Sequence, residues 1–419
     1  MRLLVISHVF PPSRFANAKR PYYLVKGFLD AGWTVDLFCL RSGMEAGAPE
    51  TVSHPRLRIF RSEDFGVRSL EKLKKHPRLF RAASLLWNGI MWPDELALWS
   101  SRTLRACQRA GPYDRVLTFV IPASLLLSGR MAGFVGPHWT FDYQESVTPQ
   151  QRRLPRRSPL QRFMLPRLTK LESHTLHTAG RVVFTADTNR RVYIKEGLVD
   201  EARTAHVPYF YDAEVFRDAG KNMAPDFEVR YFGTFDWRGA RNPETFLRSL
   251  ARFLAKRPEA RPRTRFVFYG DWLFEHHRFI EELKLKDVVS IHPAVKYEQY
   301  LEKLKESPVL LLVVAAAHNL FMPSKIVDYF GARRPILAFV PRESEMRQVL
   351  EQAGMSAFAC DEFDVESGAA ALERLWELYQ AGQLNCDSEK TGFWSSEVQI
   401  PKYVDLVRGL GQLELASGV

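Results

Sequence analysis

Residues 321–340, FMPSKIVDYFGARRPILAFV, constrain this chain more than any other stretch, because they follow an apolar run at 309–317 and are themselves half helix and half strand. A strand, a short helix and a second strand in that order make a parallel crossover. Pro323 suits the first turn of a helix, where its missing N–H costs nothing. Ser324 and Lys325 then set a hydroxyl and a cation beside backbone donors that every helix start leaves unsatisfied, which describes an anion site. Asp328 lies four residues after Ser324 and so on the same helical face, where a carboxylate can accept hydrogen bonds from a vicinal diol. Phosphate beside ribose means a nucleotide. The alternative is an ordinary crossover whose Lys and Asp are merely solvated.

At 419 residues the chain exceeds the usual size of a single core, so two domains of about 200 residues are expected. The longest apolar run, 309–317, is too short to span a bilayer, and residues 3–6 give way to Ser7, His8 and two prolines before a signal peptide could form. The expected location is the cytoplasm. Cys39, Cys107, Cys360 and Cys386 show no CxxC pairing, which speaks against disulfides and zinc; no metal site and no cofactor are expected. Charge is uneven along the chain. Residues 1–210 carry 32 Lys and Arg against 17 Asp and Glu, whereas 211–419 carry 27 against 31. The excess concentrates at 56–81 and at 152–170, where Leu160, Phe163, Met164, Leu165 and Leu168 interleave with arginines. Such a mixture can lie on an anionic membrane surface, bind a polyanion such as RNA, or be a solvated helix face.

The first half alternates strand and helix: strands at 1–10, 34–40, 115–119, 139–143 and 181–185, with helices at 21–31, after Pro122, and at 159–178. This reads as a doubly wound sheet. Polar, Pro- and Gly-containing sequence near 216–225 reads as a linker. The second half restarts with strands ending in Gly233 and Gly270, where a ligand would approach, then a strand at 288–292, an amphipathic helix at 297–307 and helices at 365–381 and 401–410. The domains expected are 1–215 and 226–385, followed by a terminal segment 386–419.

Eight pieces, in order, carry a resemblance: SHVFPPS with Arg20 in the next helix, WPDELALW, WTFDYQES, VPYFYDAEVF, FGTFDWRGARNPE, FVFYGD, VKYEQYLEKL and PSKIVDYFGARRPILAF. Together they resemble the retaining glycosyltransferases of family four, specifically the bacterial members that build envelope polysaccharides such as lipopolysaccharide. The resemblance implies an α/β fold of two Rossmann-like domains facing a cleft (GT-B), with a terminal helix crossing back to the N-terminal domain. It also implies two departures. The family's Gly-Gly turn after the first strand is here Arg14, Phe15, Ala16 and Asn17, of which Asn17 best tolerates a left-handed backbone. Of the family's paired glutamates only the second position keeps a carboxylate, since the pair falls on Leu320 and Asp328.

The function implied is metal-independent retaining transfer from a nucleoside-diphosphate sugar to a lipid-linked or saccharide acceptor, at the inner face of the plasma membrane. Catalysis is then mostly positioning and neutralisation of the departing diphosphate. Donor binding falls to Gly233, Thr234, Arg238, Arg241, Gly270, Tyr297, Asn319, Pro323, Ser324, Lys325 and Asp328, with Tyr297 beside the nucleobase and His318 or Asn319 holding the sugar in place of the missing glutamate. Asn17, Arg20, Glu145, Arg152 and Arg153 are the acceptor candidates, and Asp142, His318 and Lys325 the catalytic ones. Asp142 reads equally as a proton acceptor for the incoming hydroxyl and as a structural hydrogen bond at a strand end; His8 reads as a packing residue. A noncatalytic nucleic-acid or lipid binder on an inactive transferase fold, and a nucleotide-sugar epimerase, are the alternatives; nucleic acid is not expected as a partner of the enzyme.

Overall fold

A computed structural model describes the chain apart from residues 14–15, 42–51, 64–74, 77–78, 80–90, 132, 154–158, 221–222, 236–241, 317–319, 321, 385–387 and 410–419. The chain divides into two compact units, residues 1–208 with 399–419, and residues 209–398. Each is built on a parallel sheet. In the first, β1 (Arg2–Ser7), β2 (Thr34–Leu40), β3 (Leu57–Ser62), β4 (Arg115–Phe119), β5 (Trp139–Tyr143), β6 (Arg181–Phe184) and β7 (Thr204–His206) pair in the order β3-β2-β1-β4-β5-β6-β7. In the second, β8 (Phe227–Phe232), β9 (Thr264–Tyr269), β10 (Val289–His292), β11 (Val309–Val313), β12 (Ile336–Phe339) and β13 (Ala359–Cys360) pair in the order β10-β9-β8-β11-β12-β13.

The central strands are apolar along their length because helices cover both faces of a parallel sheet. Leu3, Leu4, Val5 and Ile6 of β1 are wholly buried, as are Val309 to Leu312 of β11. Every such side chain contributes about 1.5–3 kcal/mol on leaving water. The strand order reverses between β1 and β4 in one sheet and between β8 and β11 in the other. At a reversal the connections leave in opposite directions, so a crevice opens outside the carboxyl ends of the two strands.

Several elements depart from the sequence expectation. The helix Ala97–Arg109 and the strand β3 were not anticipated, and β3 carries part of the basic run at 56–81. There Arg58 donates to both oxygens of buried Asp36 at 2.6 Å, with Arg2 and Tyr113 donating at 2.9 Å. Burial pushes the Asp36 carboxyl up, but those donors outweigh it and hold it below the usual carboxylate range. Arg58 is therefore a structural partner rather than a free surface cation. The stretch read as a linker belongs to the second unit: Phe216 packs against Gly331 so closely that an added Cβ would lie 2.6 Å from its ring, and Tyr211 bridges to Ser395. The units divide at 208/209 and 398/399 instead of at 215 and 386.

The helix Ser396–Arg408 delivers its residues from Gln399 onward to the first unit. Gly27 permits the approach, since a Cβ there would fall 2.1 Å from Ile400 Cγ2. At the centre, Asp142 accepts from Arg20 Nε and Nη2 at 2.9–3.0 Å and from the Tyr403 hydroxyl at 2.9 Å. Arg20 also donates to the carbonyls of Val207 and Pro208. All three side chains are at most 2% exposed. Burial first, and then the Asp142 carboxylate, pushes the Tyr403 phenol well above its ordinary range. Arg20→Ala strands a buried carboxylate and should destabilise the first unit by about 3–5 kcal/mol. Tyr403→Phe removes one hydrogen bond to a charge and should cost about 1.5–3 kcal/mol. Urea unfolding of both variants measures this, and equal small losses would contradict the latch.

Candidate functional site in the second sheet

The crevice between β8 and β11 collects most of the residues expected to bind a donor. Gly233 follows β8 with φ 134° and Gly270 follows β9 with φ 147°, conformations that side chains rarely adopt. A Cβ on Gly270 would lie 1.9 Å from the Gly233 carbonyl oxygen, so the two strand ends can meet only without side chains. The Gly233 amide donates to Tyr269 and the Gly270 amide to His292, which carries the ladder past the strand ends.

After β11 the chain returns through the helix Lys325–Ala332. Lys325, its first residue, donates from Nζ to the Phe232 carbonyl at 3.1 Å, and that ammonium stands 4.0 Å from the centroid of the Tyr231 ring. Tyr231 is itself packed against Phe235 and Phe268, which also stack on each other. A cation is thus held at the carboxyl end of β8 by a carbonyl dipole and an aromatic face, the latter worth about 0.5–2 kcal/mol. Pro323 accepts from the Ile326 amide, and Ser324 sits in helical conformation with its hydroxyl capping no backbone N–H. The helix stops where Arg333 turns left-handed, at φ 55°, ahead of Pro335 and β12.

Asp328, one turn into that helix, is 7% exposed and accepts from the Tyr300 hydroxyl at 2.9 Å. Burial, followed by the Asp328 carboxylate, pushes the Tyr300 phenol well above its usual range, so it stays a donor. Tyr300 meets Phe232 edge-on and stacks with Tyr297, while Phe232 stacks on Tyr269 and Tyr269 on His292. The result is an aromatic shelf across the ends of β8, β9 and β10, with Tyr297 40% exposed at its rim. Thr234 contributes its carbonyl, 3.5 Å from the Tyr231 hydroxyl. Arg238, Arg241, His318 and Asn319 lie outside the described residues. Leu320 is 1% exposed, an apolar anchor where the resemblance has a carboxylate.

Two contributors were not read from the sequence. Tyr300 lies on the amphipathic helix at 297–307, and its place three residues after Tyr297 puts both on one face. Glu362 accepts from the Ala316 amide at 3.1 Å and so holds the start of the segment leading to Leu320; at 46 residues' separation no local pattern could signal it.

In the first unit the acceptor candidates do not assemble as expected. Arg20 and Asp142 do meet, but in the buried latch: with Arg20 and Tyr403 filling its carboxylate and no exposed surface, Asp142 is a structural anchor instead of a proton acceptor, and Arg20 is not available to an acceptor. Asn17 occupies a 3-10 turn, Ala16–Ala18, rather than a left-handed bend. Glu145 reaches solvent from crowded surroundings that raise its carboxyl by desolvation. Arg152 pairs with Glu196 and donates to Thr169, and Arg153 is exposed. His8 is at the β1/β4 reversal; its Nδ1 is buried without a hydrogen-bond partner, and burial lowers its pKa from 6.5 to about 4 against a hydrogen bond with the Ile121 backbone.

Comparison with protein-family models and with curated proteins finds no match to this sequence. Solved structures do match over the whole length. Sucrose-phosphate synthase from Thermosynechococcus elongatus is 16% identical with a TM-score of 0.64, covering 99% of this chain and 100% of that one. The E. coli trehalose-6-phosphate protein bound with UDP-2-fluoro glucose is 13% identical with a TM-score of 0.64, covering 100% of both chains. A UDP-forming trehalose-phosphate synthase from Burkholderia xenovorans is 14% identical with a TM-score of 0.61, covering 98% of this chain and 99% of that one. The fold is GT-B. At these identities the likeness is one of architecture.

The neutral, buried state of His8 has a pH signature. The unfolded chain takes up a proton near pH 6.5 that the folded chain refuses until about pH 4, so this residue's contribution to stability is full above pH 6.5 and is lost as pH falls toward 4. The urea midpoint of the native chain should fall more steeply through that window than that of His8→Gln. Parallel decline in the two proteins would contradict the assignment.

Proposed function

We propose that this chain is a retaining, metal-independent glycosyltransferase of the family-four kind, taking its sugar from a nucleoside-diphosphate donor and passing it to a lipid-linked or saccharide acceptor in envelope-polysaccharide synthesis. One observation carries the donor half: the Lys325 ammonium, fixed against the Phe232 carbonyl at the strand-order reversal, with the Asp328–Tyr300 pair one turn further along the helix. An ammonium there meets the diphosphate whose negative charge grows as the glycosidic bond to the leaving group breaks, and stabilises it more in the transition state than in the ground state. The Asp328 carboxylate accepts from the ribose hydroxyls while Tyr300 holds it in place. Tyr297 offers a stacking surface to the base, and the absence of side chains at Gly233 and Gly270 lets the phosphates approach the backbone. The names of similar structures, UDP-forming among them, support uridine as the base.

The finer reading sets the enzyme in the cytoplasm, peripheral on the inner face of the plasma membrane, with the basic segment of the first unit toward anionic lipid. No helix among the described residues is long and apolar enough to cross a membrane. A second reading, a noncatalytic binder on the same fold, is favoured by buried Leu320, which offers nothing to a sugar hydroxyl.

Uridine diphosphate should raise the melting temperature, since it binds the folded state alone. Lys325→Ala should weaken its binding about tenfold or more by removing a charge-assisted contact. Asp328→Asn should narrow the difference between uridine and 2′-deoxyuridine diphosphates. Calorimetric titration measures all three. No binding of uridine, guanosine or adenosine diphosphate would overturn the enzymatic reading, and binding without turnover of any sugar conjugate would favour the second, a noncatalytic nucleic-acid or lipid binder.

A further inference from the structure

The first unit holds a second opening, away from the β1/β4 reversal, which the transfer chemistry leaves unused. It is a surface groove of about 770 Å³ between the helix Pro159–Thr178 and the turn at residues 196–198 that ends the helix Asp187–Lys195. Arg162, Leu165, Lys170 and His174 line it from the long helix, and Leu198 lines it from the opposite wall. Their spacing keeps these helix residues on one stripe, and from Arg162 to His174 it runs about 18 Å.

The side chains of Arg162, Lys170 and His174 are exposed and have no ion-pair or hydrogen-bond partner among the described residues, so the two cations of the stripe are uncompensated there. Glu196, the acid lining the groove, is already paired with Arg152. Leu165 and Leu198 make the floor apolar, being 6% and 2% exposed. At the start of the same helix two large apolar side chains face solvent, Leu160 at 43% and Phe163 at 58% exposed, the latter stacked under Arg167 at 3.8 Å. Two unpaired cations, Arg162 and Lys170, over an apolar floor, with apolar side chains at one end, are complementary to an anionic head group joined to hydrocarbon.

The groove is also built in advance. Glu172, wholly buried, accepts from the hydroxyls of Tyr143 at 2.9 Å and Tyr193 at 2.7 Å and from Thr148. Glu172 belongs to the long helix, Thr148 opens the helix that ends in Arg152 and Arg153, and Tyr193 belongs to the helix that leads to Glu196. One carboxylate therefore ties together the three elements that carry the walls, so little ordering is left for a ligand to cause.

We propose that this groove is a binding site for the phosphate head group of an anionic lipid, which turns loose electrostatic adsorption into docking at a defined place. The proposal rests on the membrane half of the reading above and not on its chemistry. Arg162 and Lys170 contact the phosphate, and Leu160 and Phe163 enter the acyl boundary.

Vesicle co-sedimentation of the full chain tests it, using phosphatidylcholine vesicles with and without phosphatidic acid. Arg162→Gln with Lys170→Gln should lower affinity for the phosphatidic acid vesicles about tenfold or more. Arg105→Gln with Arg109→Gln, which removes the same charge from the exposed face of the helix Ala97–Arg109, outside the groove, should change it little. Unchanged melting temperatures and retained uridine diphosphate binding establish that both variants are folded. Equal losses in the two variants would overturn the groove while leaving membrane association standing. No binding of the unaltered chain to either vesicle would overturn membrane association itself. Glycerol 3-phosphate should compete with the vesicles; its binding at the groove in the absence of any vesicle binding would reassign the site to a free phosphate ester and overturn the lipid proposal.

Discussion

The chemistry open to this molecule follows from the reversal of strand order in a parallel sheet. Helices cover both faces of such a sheet and bury every central strand, so a ligand can reach the backbone only where neighbouring connections part. In the second unit that point falls between β8 and β11, and the sequence there answers it twice. Glycines remove the side chains that would close the crevice, and Lys325 supplies a charge that would be costly elsewhere. Its ammonium is partly buried, and a carbonyl and an aromatic ring are among the partners that hold the charge at the crevice, where an anion would meet it.

The first unit uses its own buried charges for the opposite purpose. Asp142 is neutralised by Arg20 and accepts a hydrogen bond from Tyr403, and the result is a joint between the sheet, the first helix and the helix Ser396–Arg408. Removing either ionic partner would expose the full desolvation cost of the other, so the terminal helix is held by a penalty on leaving as much as by its apolar contacts at Ile400 and Val404. Buried Glu172 does the same for the helices beyond β5. Both carboxylates are spent on architecture, whereas Asp328 lies at the crevice with Tyr300 among the groups that orient it.

Parallel strands and the opening crossover were legible because their patterns are local. The strands at 34–40, 115–119 and 139–143 and the helix at 159–178 were read at the boundaries they have, each being an apolar run or periodic stretch bounded by Gly, Pro or polar residues. Gly233 and Gly270 were legible for the same reason, whereas the helix after β11 begins at Lys325, with Ser324 as its N-cap and Pro323 ahead of its first turn and not within it. What escaped depends on distant partners. Arg20 and Asp142 stand 122 residues apart, and only the folded chain reveals that they satisfy each other. Charge runs misled in the same way: Arg58 belongs to Asp36, a strand away, whereas Arg162 and Lys170 in a similar run have no ion-pair partner among the described residues. The helix Ala97–Arg109 was missed because its Ser, Thr, Cys and Arg content weakens the apolar periodicity that its buried face, with Trp99, Leu104 and Cys107, nonetheless provides.

The central claim is that the β8/β11 crevice receives a nucleoside diphosphate on Lys325 and Asp328. Hydrogen–deuterium exchange with and without uridine diphosphate addresses it most directly, because it reports where binding acts as well as whether it occurs. The account predicts slowed exchange at residues 232–234 and 322–328, with the segment after β1 unchanged. Protection confined to the first unit, or binding that leaves the amides of 232–234 and 322–328 exchanging at their free rates, would contradict it.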